Sequence, residues 1–197
     1  MTETALQPED QARANLYALL ARLFYGPPDR ELLASLAGAD ELLADDGRAP
    51  LAAAWRELTA AAAAMGDEAA REEYEGVFVG TGKAEVTLYT GAYTVKTMLD
   101  NPLVEIREFL AAHGFVRREN VSEPEDHLAA LCETMRHLVA VQGSSAAQQR
   151  FFRQFIWPAA DALCDAIAKS PNTNFYKRVG NLARSFFALE HGALELD

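Results

Sequence analysis

The chain has 197 residues, 50% of them hydrophobic and 24% charged, which is the size of one ordinary globular domain with material for a real core. Its 18 Lys and Arg against 29 Asp and Glu leave a formal charge of −11, a surface that repels phosphate backbones and excludes nucleic acid as an expected partner. No apolar run approaches the roughly 18 residues that span a bilayer, so no stable membrane insertion is expected.

In chain order the apolar spacing is helical nearly throughout. Leu16, Leu19, Leu20, Leu23 and Phe24 fall on one face of a helix that Pro8, Glu9 and Asp10 suit as a start and Gly26-Pro27-Pro28 as an end. A short helix is predicted from Asp29 to about Ala37, stopped by Gly38. The Ala-rich run from Pro50 to Met65 is a strong helix former with Gly66 as its stop. Asp67 can cap the next helix, in which Tyr74, Val77 and Phe78 share a face and which Gly80 and Gly82 close. Residues Lys83 to Asn101 mix β-branched and aromatic side chains around Gly91; with no partner strand in view, the expectation is an extended loop. Pro102 opens another predicted helix, with Leu103, Ile106 and Leu110 inward and Gly114 at its end.

A long helix is expected from about Pro124 to Val141, burying Leu128, Leu131, Cys132, Met135, Leu138 and Val139. Gly143-Ser144-Ser145 separates it from a further helical stretch that Pro158 should kink or split near Trp157. The last helix is predicted from about Thr173 to Glu190, with Phe175, Val179, Leu182 and Phe186 as its stripe and Gly192 as its terminator. The expected fold is all-α: one helical bundle over residues 1–197, with an irregular loop at about 80–101 and a frayed tail from about 192. Cys132 and Cys164 cannot make a disulfide scaffold and suit a reducing compartment, and MTETALQPEDQAR lacks the marks of an export signal, so the expected location is cytoplasmic.

The densest polar group is Ser122-Glu123-Pro124-Glu125-Asp126-His127. Ser122 with Glu125 fits a capping box; because Pro124 disfavours a helical Glu123, the cap could equally be Glu123 with Pro124 at the first helical position. On a helix Asp126 and His127 would point about 100° apart and form no dyad. No Ser lies in a Gly-x-Ser-x-Gly elbow and neither Cys has a marked setting, which argues against covalent catalysis. His127 and His137 lie roughly 15 Å apart along one proposed helix, too far to share an ion, and Glu133 with His137 is a common surface spacing. Gly80-Thr81-Gly82-Lys83 has the wrong spacing for a P-loop. Arg117-Arg118 and Lys177-Arg178 read as solvated, and Asn120-Val121-Ser122 is a sequon by pattern only. No cofactor, metal or catalytic residue is expected. Tyr74, Phe78, Tyr89, Tyr93 and Trp157 cluster around turns; core packing explains each singly, and together they could line a groove for an apolar peptide.

Four blocks of the chain resemble one family, the TorD/DmsD/NarJ-type chaperones that mature redox enzymes. YALLARLFYGPPDRELLASL (Tyr17 to Leu36) resembles its first helix pair. EYEGVFVGTGKAEVTLYTGAY (Glu73 to Tyr93) resembles its Glu-Tyr-x-x-Leu-Phe-x-Gly segment and following loop, with Val77 where Leu is frequent and Gly91 where Ser is. SEPEDHLAALCETM (Ser122 to Met135) resembles its Glu-x-Pro-x-Asp-His signature, and NFYKRVGNLARSFFALE (Asn174 to Glu190) its closing helix.

The resemblance implies a TorD-like helical bundle and a cytoplasmic, cofactor-free chaperone, a monomer or a homodimer, for a molybdenum-containing oxidoreductase. Such proteins hold the client's twin-arginine leader, or another terminal segment, until the molybdopterin cofactor is inserted. It places Glu123, Pro124, Asp126 and His127 in the peptide-binding region, with Tyr74, Phe78, Tyr89 and Tyr93 near it. The form Glu-Pro-Glu-Asp-His-x-Ala-Ala-Leu-Cys after Asn-Pro-Leu resembles members associated with formate dehydrogenases, which implies that client.

The physics suits such a role. Glu123 and Asp126 can accept bidentate arginine bonds, and the net negative charge speeds encounter with a cationic leader. Burying roughly 500 Å² of apolar leader yields on the order of 12 kcal/mol gross, and ordering and association costs leave about micromolar to millimolar affinity. If His127 neighbours the guanidinium site, its protonation below about pH 6.5 would add like charge and weaken capture. Two other readings predict different things. A metal-dependent all-α phosphohydrolase would hold stoichiometric metal and turn over phosphoesters; a structural helical adaptor would respond to substitutions at 123–127 in stability alone.

Overall fold

The computed structural model describes residues 6–42, 48–97, 100–116, 123–141 and 145–196. Its elements are α1 (Pro8–Tyr25), α2 (Arg30–Ala37), α3 (Ala49–Ala64), α4 (Asp67–Tyr74), α5 (Gly91–Thr94), α6 (Pro102–Ala112), α7 (Leu128–Ala140), α8 (Ser145–Phe151), α9 (Trp157–Lys169) and α10 (Phe175–Leu196). Among the described residues there is no β-strand, only a single antiparallel bridge between Tyr89 and His127. The all-α bundle expected from the periodicity is the fold observed. Ser122, the Arg117-Arg118 pair, the Asn120 sequon and Gly143-Ser144 lie outside the described residues.

The bundle is organised by α1 lying along α7, and by α10 packing on α3 and α9. Leu20, Leu23 and Phe24 of α1 are buried with Leu131, Cys132 and Met135 of α7 and with Phe175, Val179, Leu182 and Phe186 of α10 in one continuous core. The helix ends follow local chemistry. Asp29 accepts the Leu32 N–H (2.8 Å) at the start of α2, and Asn101 accepts the Val104 N–H (3.3 Å) at the start of α6. The C-terminal carbonyls that α1 leaves open at its Gly-Pro-Pro stop are closed from other helices: Tyr176 donates to the Leu23 carbonyl and Tyr74 to the Phe24 carbonyl, each at 3.1 Å.

Three features depart from the expectations and one gives an expected break its form. After Tyr74, α4 widens over Glu75–Val79 into a turn of π type, closed by the Gly80 N–H on the Glu75 carbonyl (2.7 Å), and Gly80 then leaves it at φ 64°. The split expected at Pro158 takes the same form: Phe152–Ile156 is a π turn and α9 begins at Trp157, because Pro158 has no N–H to offer the regular ladder. The inward face of α6 is Ile106 and Phe109, with Leu103 and Leu110 only half-buried. Finally, the frayed tail expected from about 192 is helix through Leu196. Gly192 has helical neighbours on both sides, Leu194 is buried in the core, and Gln149 donates its side-chain amide to the Leu194 carbonyl.

Candidate functional site

The Glu-Pro-Glu-Asp-His segment is not the first turn of α7. It is a tight turn, closed by the His127 N–H on the Pro124 carbonyl (3.1 Å), and the helix begins only at Leu128. The reason lies in the loop at 87–94, which takes the turn's hydrogen-bonding groups. The Asp126 carbonyl accepts the Thr90 N–H (2.9 Å) and the Thr90 hydroxyl (3.2 Å), and the Leu128 N–H goes to the Leu88 carbonyl (2.8 Å). Those bonds flank the Tyr89–His127 bridge. A carbonyl bound to the loop cannot accept from a residue four positions on, so the helix starts where that claim ends. The partner strand that the sequence did not reveal is this turn.

Each polar residue of the motif then plays a separate part. His127 is the N-cap of α7: its Nδ1 accepts the Ala129 N–H at 3.2 Å, which puts the ring proton on Nε2. The ring is buried, 5% exposed, and sits edge-on to Tyr89 with centroids 5.2 Å apart and planes at 77°. Burial lowers the His127 pKa from its ordinary value, against the weaker upward pull of Glu123 and Asp126. The Asp126 carboxyl is half-buried at the start of α5, so close that a Cβ on Gly91 would meet its Oδ2 at 2.9 Å. Burial raises its pKa; its own amide, the Gly91 N–H and His127 act the other way. Glu125 pairs with Arg107 of α6 at 3.0 Å.

Glu123 accepts the Tyr89 hydroxyl on Oε2 at 2.5 Å. Tyr89 is 36% exposed, and its phenol is pushed up to about 12, first by that hydrogen bond to a carboxylate and then by burial. Of the motif's acids, Glu123 hydrogen-bonds an exposed aromatic side chain, the Asp126 carboxyl lies against the start of α5, and Glu125 pairs with α6.

The aromatic residues divide. Tyr89 stands in the turn's ladder. Tyr74 and Phe78 pack on each other (5.3 Å) and on Tyr176 (5.6 and 4.9 Å), joining α4 to α1 and α10. Tyr74 is buried yet adjoins the site: after burial, the charges of Glu123, Tyr89 and Tyr25 raise its pKa to about 12. Tyr93 donates to the Thr87 carbonyl (2.8 Å) and tightens the loop on itself. Trp157 belongs elsewhere, stacked on His191 at 4.0 Å.

Tyr25, at the end of α1 and 56% exposed, lies near enough to Tyr74 to act on its pKa and was not singled out by the sequence. A second residue it did not reveal is Glu73, whose carboxylate accepts the N–H groups of Asn174 (2.8 Å), Phe175 (3.0 Å) and Tyr176 (2.7 Å) and so caps α10 from another helix. Among the described residues no group of three or more His, Cys, Asp or Glu could hold a metal ion, and no helix is long and apolar enough to cross a membrane.

A helical bundle with a surface turn of this kind has known relatives. Residues 44–165, more than half of the chain, match the family described as nitrate reductase delta subunit, and the chain belongs to that family. It is similar to proteins named chaperone protein TorD: 28% identical over 206 residues to that of Shewanella loihica, covering 95% of both chains, and 34% identical over 138 residues to that of Escherichia coli O7:K1, covering 65% of both. The match to the Vibrio cholerae serotype O1 protein is 28% identical over 130 residues and spans 60% of this chain and 59% of that relative. The redox-enzyme chaperone resemblance read from the four blocks is thereby borne out. These relatives carry a chaperone's name rather than an enzyme's, in line with the expectation that the chain is no enzyme.

Proposed function

We propose that this protein is a maturation chaperone for a molybdenum-containing oxidoreductase and that it captures the client's twin-arginine leader at the face built by Glu123, Tyr89 and the neighbouring aromatic residues. The observation that carries the reading is the Tyr89–Glu123 pair: a carboxylate held by an exposed phenol, near enough to Tyr74 for both to act on its pKa, on a chain of net charge −11. A carboxylate is the partner of a guanidinium, and aromatic rings accept both the apolar stretch that follows it and the cation itself. His127 and Asp126 act from behind this face by fixing the turn and its loop to each other. Pro124 keeps Glu123 out of helical geometry. The relatives named TorD chaperones support the class of activity. The cytoplasm is where such a leader is met before export, and a formate dehydrogenase is the client that the form of the motif favours.

The test is the affinity of a synthetic twin-arginine leader for the purified protein and for Glu123→Gln. Wild type is expected to bind in the micromolar range and the variant at least about tenfold more weakly, a loss of about 1.4 kcal/mol or more. Thermal stability should be unchanged. Equal affinity of the two proteins would remove Glu123 from the site.

A further inference from the structure

Gly91 opens α5, yet its backbone does not call for a glycine: the described glycines with positive φ are Gly80, Gly82 and Gly114. What its missing side chain provides is room for one atom. Its chain neighbours and its own helix apart, a Cβ on Gly91 would meet a single atom within 4 Å among the described residues, the Asp126 Oδ2 at 2.9 Å. That is closer than a real Cβ comes to another atom, so one of the two groups would have to shift. The backbone of the turn has little freedom to do so. The Asp126 carbonyl is held by the Thr90 N–H and hydroxyl, the Leu128 N–H is held by the Leu88 carbonyl, and Tyr89 bridges His127 between them. The carboxylate has that freedom, because it turns about its own side-chain bonds. Its charge also reaches the face assigned to the client: Asp126 acts on the phenol of Tyr89.

Resting on the leader-binding reading above, we propose that Gly91 is a positioning residue: having no side chain, it lets the Asp126 carboxylate lie back against α5, and any side chain there would turn that carboxylate out to solvent. Glycine at 91 thereby limits the negative charge that the turn offers a cationic leader. A half-buried carboxylate set against the Gly91 N–H must give up that contact before it can bond a guanidinium; one in water has only solvent to exchange. Moderate affinity suits a protein that holds a leader and then lets it go.

The experiment combines Gly91→Ala with Asp126→Asn. An NMR titration of the Asp126 carboxyl carbon reads its posture. Calorimetry at neutral pH reads the affinity for a synthetic peptide with an Arg-Arg pair ahead of an apolar segment, and for the apolar segment alone. In wild type burial holds the Asp126 carboxyl above the ordinary value of about 3.9, and in Gly91→Ala it should fall back towards that value. Gly91→Ala should bind the arginine peptide about three- to tenfold more tightly and the apolar segment no differently. The gain should vanish in the double variant, so Asp126→Asn should cost about three- to tenfold more in the Gly91→Ala background than in the wild-type one. Gly91→Ala should melt no lower than wild type, since alanine is the better helix former.

An Asp126 titration that is the same in both proteins would overturn the positioning role, as would an arginine-peptide affinity that does not rise. So would a gain that survives Asp126→Asn, or a lowered melting temperature, which would mean that the turn had moved instead of the carboxylate. A wild type that binds the arginine peptide no better than the apolar segment would instead remove the leader-binding reading, and the titration alone would then decide whether Gly91 sets the posture of Asp126.

Discussion

Two tyrosine–glutamate pairs in this chain have nearly the same hydrogen bond and opposite surroundings. Tyr17 and Glu190 are sealed between α1 and α10, with Arg13 as the third member and the Gln148 amide oxygen accepting from the same guanidinium at 3.1 Å. Tyr89 and Glu123 sit at the surface, where a loop meets a turn. In the sealed pair Tyr17 and Glu190 have been taken from water and Arg13 largely so, so its value lies in remaining complete: losing the glutamate strands the phenol and the guanidinium in a poor dielectric. At the surface, water can replace a lost partner, and the pair can be altered at little expense to the fold. The same chemistry thus fastens helices in one region and joins a loop to a turn at the surface in the other.

The largest effect that would sharpen this contrast is expected at the sealed end. Glu190→Ala leaves the Tyr17 hydroxyl without its acceptor and the Arg13 guanidinium with Asp10 and Gln148 but no buried carboxylate, and should destabilise the chain by about 3 kcal/mol. Denaturant unfolding at neutral pH measures it; leader affinity of the folded protein should stay the same. A loss near zero would mean that solvent reaches Arg13 freely, and the distinction between the two pairs would fail.

Glu73 comes next. It serves neither pair but closes the N-terminus of α10, the helix that carries Glu190. Glu73→Ala removes the acceptor of three backbone N–H groups and a negative charge from a helix N-terminus, with an expected loss of about 2 kcal/mol. The deficit should appear in unfolding and be absent from leader binding.

Much of the bundle was legible in the chain because amphipathic stripes such as Leu131, Cys132 and Met135, or Phe175, Val179 and Leu182, need only local periodicity to be seen. What was hidden depends on contacts between distant residues. The start of α7 moves from Pro124 to Leu128 because the Asp126 carbonyl is claimed by Thr90, thirty-six positions away. Tyr17 and Glu190 are 173 positions apart, and nothing in either neighbourhood announces the other. Gly192 resembles a helix stop until Leu194 is seen in the core. At the candidate site the motif could be recognised as a block, while the division of labour inside it could not: Glu123 to Tyr89, Glu125 to Arg107, Asp126 to the loop and His127 to the helix cap. Residue types show which groups can bond; only the folded chain decides which do.

The smallest effect concerns acid, and it links the surface turn to the bundle behind it. His127 caps α7 through an unprotonated Nδ1, so a second ring proton would remove the acceptor from the Ala129 N–H and set a positive charge at a helix N-terminus. Because burial lowers the native pKa of His127, the unfolded chain takes up the proton first as the pH falls. Stability falls with pH wherever the unfolded state binds more protons. The contribution of His127 is therefore complete above the ordinary histidine value of about 6.5 and is lost as the pH drops below it through the native value. Asp126 acts with the opposite sign and in a lower window. Its native pKa is raised, so protonation relieves a half-buried charge and favours the folded state as the pH falls through the carboxylate range. In melts between about pH 7.5 and 5.5, wild type should lose roughly 1 kcal/mol more than His127→Asn, in which a side-chain amide oxygen caps the helix at any pH. Parallel pH profiles for the two proteins would show that His127 takes up its proton at the same pH in the folded and unfolded chains, so that the cap is not linked to acid.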